Sequence, residues 1–209
     1  MAHIISSKIL IKAYNKANIH IEPLFIGLEE SLQHSNTGKT DGEFARINKI
    51  TELYPNLRKV PVPIFSVQAI AFSKDSSITI NNWNDLGNYK LTIVMGAKFI
   101  ETGTQGIDKN YALSFEEALD QLHAGKAEVI VIPKLAGINL IYKKKYHDIK
   151  AVSNSLKTLK LYHFVHKKNI HLIPIITPIL REMEQSGEIA FIRKSQLLKA
   201  TKKFSLDVK

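Results

Sequence analysis

Residues 114–132 read SFEEALDQLHAGKAEVIVI and carry a complete helix-to-strand pattern. Ser114 followed three positions later by Glu117 is a capping box, which predicts a helix beginning at Phe115. Apolar residues then recur at helical spacing, and Gly125 predicts the end of the helix. The run from Glu128 to Ile132 is apolar after its first residue and predicts a strand buried on both faces. The stretch therefore indicates an α/β architecture.

Helix and strand patterns alternate in the same way along most of the chain. A first helix carries Ile9, Leu10, Ala13 and Ala17, with Ser6 or Ser7 as its expected cap and Asn18 as its end. Other helices are predicted at 28–33, after Pro133, and around 175–183 before Gly187. Strands are predicted at 19–25, 42–47, 66–72, 91–94, 128–132, 149–152 and 159–165. This alternation predicts a largely parallel sheet with helices on its faces.

Composition places the chain among ordinary globular proteins. Its 209 residues, of which 44% are hydrophobic and 23% charged, suit one large α/β domain or two small lobes. No run approaches the roughly 20 apolar residues that cross a bilayer, and Met1 to Ile5 lack the pattern of an export signal. The absence of cysteine excludes disulfides, thiolate zinc sites and cysteine nucleophiles.

The strong positive charge raises the question of a nucleic-acid or anionic partner. The formal net charge is +10, and basic residues concentrate at 143–145, 167–168 and 199–203. No aromatic residues are interleaved with them to stack bases, which disfavours nucleic acid and favours solvated lysines.

Few residues suggest catalysis or metal binding. Asp41-Gly42-Glu43 could hold a metal or divide acid and base roles, but no acidic or histidine cluster completes it, so a turn before a strand is favoured. Strand alternation would place Glu43 and Arg46 on opposite faces, so they need not meet. His163, His166 and His171 are interpreted as scattered surface residues, and no serine-hydrolase motif is present.

Met95-Gly96-Ala97-Lys98 is a more promising segment. It follows a predicted strand and precedes a predicted helix, an arrangement that points backbone N–H groups at the space above a sheet. Lys98 would add positive charge and Glu101 would partly offset it. A plain strand-to-helix turn remains the alternative, because the segment lacks the glycines and the Gly-Lys-Ser/Thr ending of a phosphate loop.

An ordered set of motifs resembles a branch of the family-3 bacterial extracellular solute-binding proteins. The motifs are residues 36–47 (NTGKTDGEFARI), 54–57 (YPNL), 60–64 (VPVPI), 83–86 (WNDL), 114–119 (SFEEAL), 122–128 (LHAGKAE) and 183–189 (MEQSGEI). They span almost the whole chain, and the order is more specific than any single piece.

The resemblance implies the type II periplasmic binding fold, with two lobes joined by two crossing hinge strands and a ligand held between them. It places lobe 1 at 1–75 with 160–209, with its first strand missing or shortened, and lobe 2 at 76–159. It further implies non-catalytic binding of a small solute without a cofactor or metal, in the periplasm, for a membrane transporter. A sensory or protein-interaction module with the same fold remains the alternative.

The resemblance also implies a set of ligand-binding residues. Positions that match the family's pocket are Glu43, Arg46, Ile64, Phe65, Met95, Gly96, Ala97 and Lys98. Amino-acid receptors of the family carry a carboxylate-binding arginine where this chain has residues 50–53 (ITEL), and an ammonium-binding aspartate where it has Pro133. Because both residues are absent, we expect a ligand other than a standard α-amino acid.

Overall fold

The computed structural model describes residues 2–196. Helices are α1 (Ala2–Lys16), α2 (Leu28–Thr37), α3 (Ile50–Leu53), α4 (Lys98–Gly103), α5 (Phe115–His123), α6 (Lys134–Lys144), α7 (Ile173–Gln185) and α8 (188–196). Strands are β1 (Gly42–Ile47), β2 (Leu57–Ser73), β3 (Leu91–Val94), β4 (Asn110–Ala112), β5 (Val129–Pro133), β6 (Lys150–Ala151) and β7 (Lys157–His166). Two 3-10 helices span Asn84–Asn88 and Lys167–Leu172. None of the helices in this part of the chain is long and apolar enough to span a membrane.

The described residues divide into two compact units. Unit 1 comprises residues of Met1–Phe25, Ser31–Ser66 and Lys160–Lys209, and unit 2 comprises Ile26–Glu30 and Val67–Leu159. Strands β2 and β7 each contain residues of both units. The lobe limits expected from the sequence, 1–75 with 160–209 and 76–159, stay a prediction, and the basic residues at 199–203 lie outside the described part of the chain.

Unit 1 is built around helix α1 and the β1–β7 ladder. Strands β1 and β7 are antiparallel, with Gly42 opposite Val165 and Ile47 opposite Leu161. Helix α1 packs against β1 and α7, and its apolar face is fully buried. A second cluster contains Leu32, Ile50, Tyr54, Leu57 and Phe164. These contacts hold β1, which carries Glu43 and Arg46.

Unit 2 contains a run of alternating strands and helices from β3 to α6. Strand β3 pairs in parallel with both β4 and β5, and all five residues of β5 are buried. Its core contains buried residues of β2, β3, β4 and β5. Strand β5 also pairs with β2, and this pairing is antiparallel, with Ile70 opposite Ile132. The expectation of a largely parallel sheet was therefore wrong: parallel pairs occur where helical crossovers join the strands, and β2 and β7 enter without one.

Helix α5 shows how local signals set the boundaries. The Ser114 hydroxyl accepts a hydrogen bond from the Glu117 N–H (3.0 Å), and the Glu117 carboxylate accepts from the Leu113 N–H (2.8 Å). Gly125 adopts φ +71° after the helix, as expected of a helix-ending glycine. The predicted capping box and stop are confirmed.

Three sequence predictions in the N-terminal third of the chain were wrong. Helix α1 starts at Ala2, so Ser6 and Ser7 lie within it, and the Ser7 hydroxyl donates to the Ile4 carbonyl (3.0 Å) instead of capping. Residues 19–25 form no strand in the described structure, because the β-favouring pattern finds no ladder partner there and Pro23 has no N–H to donate. Strand β2 begins at Leu57, well before the predicted Ser66.

Replacement of Gly137 by alanine should destabilise unit 2. A methyl group there would lie 2.5 Å from Cζ of Phe72 and 3.2 Å from Cδ1 of Ile132. Overpacking of this kind costs about 1–3 kcal/mol, which outweighs the gain of up to about 1 kcal/mol in helix propensity. Urea unfolding of Gly137→Ala should show a lower midpoint. Gly27→Ala is the control, since its methyl meets only Cβ of Glu30 at 4.0 Å; equal midpoints for the two variants would refute the packing argument.

Candidate functional site

The eight predicted ligand-binding residues fall into two groups, one in each unit. Glu43 and Arg46 on β1 and Ile64 and Phe65 on β2 belong to unit 1. In unit 2, residues 95–97 form the turn between β3 and α4, and Lys98 is the first residue of α4. Their contact with a ligand stays a prediction.

Glu43 is a buried carboxylate whose oxygens are occupied by the protein. It is 5% exposed, and its Oε1 accepts hydrogen bonds from the hydroxyls of Ser31 (2.6 Å) and Ser35 (2.8 Å). Its Oε2 accepts from Nε of Arg46 (2.8 Å). A buried carboxylate needs such partners to offset the loss of hydration. Ser31 and Ser35 were not anticipated, although they lie four residues apart on one face of α2.

Arg46 reaches Glu43 because β1 is not a regular strand. The pairing of β1 with β7 shifts between Glu43 and Arg46, where an irregularity interrupts the register. Regular alternation had suggested that the two side chains lie on opposite faces, and a bulge of this kind re-aims side chains. The ion pair is shielded, since the Arg46 side chain is 11% exposed.

His163 lies on β7, the strand that pairs with β1, and is hydrogen-bonded at both ring nitrogens. Nδ1 is 2.7 Å from the Glu43 carbonyl oxygen, and Nε2 is 2.8 Å from the Tyr14 hydroxyl. A carbonyl oxygen only accepts, so Nδ1 carries the proton and Nε2 accepts from Tyr14. Burial lowers the pKa of His163 to about 4 and raises the pKa of Tyr14 to about 12, so both side chains are neutral near pH 7.

The sequence interpretation of the three histidines as surface residues was wrong for two of them. His163 and His166 are buried at the end of β7, whereas His171 is exposed. Alternation cannot distinguish these positions, because residues 163–166 are buried consecutively. Tyr14 lies 149 positions away from His163, and no pattern within a short stretch of sequence predicts a contact over that separation.

Ile64 and Phe65 are buried and contact an arginine that the sequence did not single out. Arg193 on α8 donates from Nε (3.0 Å) and Nη2 to the Ile64 carbonyl oxygen. Its guanidinium carbon lies 6.0 Å from the centre of the Phe65 ring, within cation–π distance. Burial lowers the pKa of Arg193 below its usual value. The apolar ring of Phe65 thus lies next to the positive charge of Arg193.

In unit 2, the N–H groups of the 95–97 turn are bonded within the protein. Met95 donates to the Ala112 carbonyl (3.0 Å) and Ala97 donates to the Val94 carbonyl (3.1 Å). The Gly96 N–H donates to Oε1 of Glu101 (2.7 Å). A protein carboxylate therefore occupies the position where the sequence suggested a bound anion.

Lys98 is held between two carboxylates. Its Nζ lies 2.8 Å from Glu29 and 2.9 Å from Glu101, and its side chain is 17% exposed. Gly96 has φ +81°, and a Cβ there would clash with the backbone of Leu28 and Glu29. The turn consequently packs against the start of α2, with Met95 as its most exposed side chain, at 39%.

Asp41 and Glu43 do not act as a carboxylate pair. Glu43 is buried in the network above, while Asp41 is exposed and accepts from Nδ2 of Asn169 (2.9 Å). That hydrogen bond and neighbouring Lys168 lower the pKa of Asp41. Within residues 2–196, no group of three His, Cys, Asp or Glu side chains is placed to hold a metal ion.

Comparison with known proteins identifies the fold. No family model matches the sequence, and no curated protein matches it. A histidine kinase sensor domain with similarity to periplasmic binding proteins superposes with a TM-score of 0.79 at 16% identity, covering 91% of this chain and 84% of that one. A mutant of ArgBP from T. maritima gives 0.77 at 17% identity, covering 91% and 83%.

A third similar structure extends the comparison to a transporter component. The amino acid ABC transporter substrate-binding protein AbpA from Streptococcus pneumoniae, bound to L-arginine, gives a TM-score of 0.77 at 13% identity, covering 94% and 84%. At these identities the likeness establishes the fold. The chain has the type II periplasmic binding fold, which confirms the fold and the α/β class expected from the sequence. Membership of the family-3 solute-binding proteins stays a prediction.

Removal of the Glu101 carboxylate should destabilise the β3–α4 turn. Glu101→Ala leaves the Gly96 N–H without its acceptor and removes one of the Lys98 ion pairs, which should cost about 1–3 kcal/mol. Glu101→Gln keeps an oxygen acceptor and should cost less. Urea unfolding measures both, with Glu52→Ala on the exposed side of α3 as control. A Glu101→Ala midpoint equal to that of the control would contradict this role of Glu101.

Stability should depend on the protonation of His163. Because its pKa is lowered from 6.5 to about 4 in the folded protein, the unfolded chain binds the extra proton first as pH falls. The stabilisation is fully present above about pH 6.5 and is lost progressively down to about pH 4. The free energy of unfolding that depends on this proton is about 3 kcal/mol.

The free energy of unfolding, measured by urea denaturation at intervals across this pH range, checks the dependence. His163→Gln should be less stable than the wild type near neutral pH but should lose less stability on acidification. His20→Gln, which alters an exposed histidine, should follow the wild type. Parallel pH profiles for wild type and His163→Gln would show that this histidine is not responsible.

Proposed function

We propose that the protein binds a small solute without catalysing a reaction and acts as a receptor associated with a membrane transporter. The likeness over most of the chain to solute-binding proteins, among them a transporter component, carries the proposal. The ordered sequence motifs support it independently. The periplasmic location and the position of the ligand between two lobes are parts of the proposal taken from the resemblance.

The proposed ligand contacts come from the two groups of residues already described. In unit 1, the Glu43–Arg46 ion pair and the Phe65 ring offer charge and an apolar wall. In unit 2, the partly exposed Met95 and the 96–98 turn are the proposed contact. Most polar atoms of these groups have partners inside the protein, which holds the groups in fixed positions and supports binding without catalysis.

We propose further that the ligand is not a standard α-amino acid. Residues 50–53 form α3 and include no arginine, and Pro133 stands at the end of β5 where the resembling receptors have an aspartate. Arg46 is committed to Glu43 and makes a poor replacement for a carboxylate-binding arginine. By contrast, AbpA is bound to L-arginine, which is a standard α-amino acid.

A sensory module is a second candidate function. The similarity to a histidine kinase sensor domain favours it, because that protein shares the fold and belongs to a sensor. Both candidate functions require solute binding. They differ in the partner of the solute-bound protein, which is a membrane transporter in the first case and a signalling domain in the second. A kinase or cyclase domain encoded in the same reading frame would favour the sensory function.

Ligand binding is tested by native mass spectrometry of freshly purified protein, followed by thermal-shift screening. The panel contains arginine, glutamine, other amino acids, polyamines, organic acids and small peptides. A ligand present at 100 times its dissociation constant should stabilise the protein by about 2.7 kcal/mol. A shift with polyamines, organic acids or peptides and none with amino acids is expected; a shift with arginine would overturn the proposed ligand class, and no shift at all would overturn solute binding.

A variant pair then tests the proposed contact at Met95. Met95→Ala should weaken binding of the identified ligand about tenfold, because truncation of an apolar contact costs about 1–2 kcal/mol. Leu113→Ala is the matched control, since Leu113 is also an exposed apolar residue of unit 2 but lies outside the proposed site. Isothermal titration calorimetry measures both affinities. Equal affinities for Met95→Ala and the wild type would remove Met95 from the site.

A further inference from the structure

Positive charge is unevenly distributed between the two units. Unit 2 carries equal numbers of acidic and basic side chains, whereas the described residues of unit 1 carry twice as many Lys and Arg as Asp and Glu. The excess positive charge of the described chain therefore belongs to unit 1. Scattered lysines would spread this charge evenly, so its arrangement on unit 1 is informative.

Three chain segments of unit 1 meet at one surface, which we term the basic patch. They are residues 36–41 between α2 and β1, residues 56–58 at the start of β2, and residues 166–170 after β7. The His166 N–H donates to the Asp41 carbonyl (2.8 Å), and the Lys167 N–H donates to the Asn56 carbonyl (2.7 Å). The Asn56 N–H donates to Oδ1 of Asn36 (3.0 Å). Backbone hydrogen bonds thus fix the three segments together.

The basic patch carries four cations, Lys39, Arg58, Lys167 and Lys168. Both Lys167 and Lys168 are exposed, as is Lys39, and Arg58 is anchored through hydrogen bonds to the carbonyls of Pro55 and Leu57. Within residues 2–196, Asp41 is the single carboxylate at ion-pair distance from any of the four, at 3.2 Å from Lys168. The patch retains a net positive charge.

The positive charge of the patch affects the pKa of His166. Burial and the charges of Lys168, Lys167 and Arg58 together lower the pKa of His166. The Lys168 ammonium also donates to the Gly38 carbonyl (2.8 Å), which places this cation against the segment that carries Lys39. The charges of the patch reinforce one another at the surface instead of being dispersed.

Exposed aliphatic side chains lie at the end of the patch and soon after it in the sequence. Ile170, in the 3-10 helix that begins at Lys167, is 51% exposed, and Ile175 in the first turn of α7 is 43% exposed. Lysines beside exposed aliphatic residues suit a lipid surface, where cations contact headgroups and the apolar groups enter the headgroup boundary. Single-stranded nucleic-acid sites instead use exposed aromatic rings for stacking.

We propose that the basic patch with Ile170 and Ile175 binds the anionic lipid headgroups of a membrane surface. The interaction is peripheral and places unit 1 against the bilayer. It is independent of solute binding and rests on residues outside the proposed ligand site.

Vesicle sedimentation tests the proposal with the full chain. Vesicles of equal parts phosphatidylglycerol and phosphatidylcholine are compared with vesicles of phosphatidylcholine alone. Binding to the anionic vesicles should exceed binding to the neutral ones and should weaken when ionic strength rises from about 0.05 M to about 0.5 M. Equal binding to both vesicles, or no binding at low ionic strength, would overturn the proposal.

A matched pair of triple variants separates the patch from net charge. Lys39→Gln, Lys167→Gln and Lys168→Gln combined should lower the partition coefficient about 100-fold, since each lysine near an anionic surface contributes about a fivefold factor. Lys126→Gln, Lys134→Gln and Lys157→Gln combined remove the same charge from exposed positions of unit 2 and should change it little. Circular dichroism confirms that both variants fold. Equal losses in the two triple variants would show a response to net charge alone and would overturn the proposal.

Ile170→Ser distinguishes a lipid surface from other polyanions. It should weaken binding to anionic vesicles several-fold while leaving the weak electrostatic binding of a short double-stranded DNA unchanged. Competition supplies the alternative outcomes: if that DNA, or an acidic peptide, binds the wild type more tightly than the vesicles do, the partner is a soluble polyanion and the lipid proposal is wrong.

Discussion

Buried polar groups must find partners inside the protein, and this constraint governs both groups of candidate residues. Glu43 is acceptable in the interior because Ser31, Ser35 and Arg46 surround it, and His163 is acceptable because it is neutral and bonded at both nitrogens. The Gly96 N–H is satisfied by Glu101 in the same way. The positions that resemble a receptor pocket are therefore firmly structured by the protein itself, which is the preorganisation that ligand selectivity requires.

Local chemistry made much of the fold predictable. The limits of β1 and β3 follow from apolar patterning and flanking turns, and Ser114 and Gly125 define α5, because strands and caps of this kind depend on neighbouring residues. Residues 19–25 have the same β-favouring pattern but form no strand in the described structure. A strand also needs a partner, and the presence of a partner is a tertiary property that no short window contains.

The candidate site was less predictable, for a different physical reason. The resemblance indicated Glu43 and Arg46 as positions, but their ion pair depends on an irregular register between β1 and β7, which strict alternation does not contain. Two further contacts join residues that are far apart in the sequence. Tyr14 is hydrogen-bonded to His163, and Arg193 donates a hydrogen bond to the Ile64 carbonyl. Glu101 was foreseen only as a charge near Lys98, and its hydrogen bond to Gly96 required the geometry of the turn.

The order in which the chain is synthesised gives the Tyr14–His163 pair a further meaning. Tyr14 leaves the ribosome 149 residues before its partner, an interval of roughly 7 to 30 s at usual elongation rates. Strand β1 likewise waits for β7, while the segment 67–159 of unit 2 is already complete. Nascent unit 1 consequently carries an unpaired strand and an uncovered helix face until β7 and α7 are synthesised, and this interval is when a chaperone would have the most surface to protect.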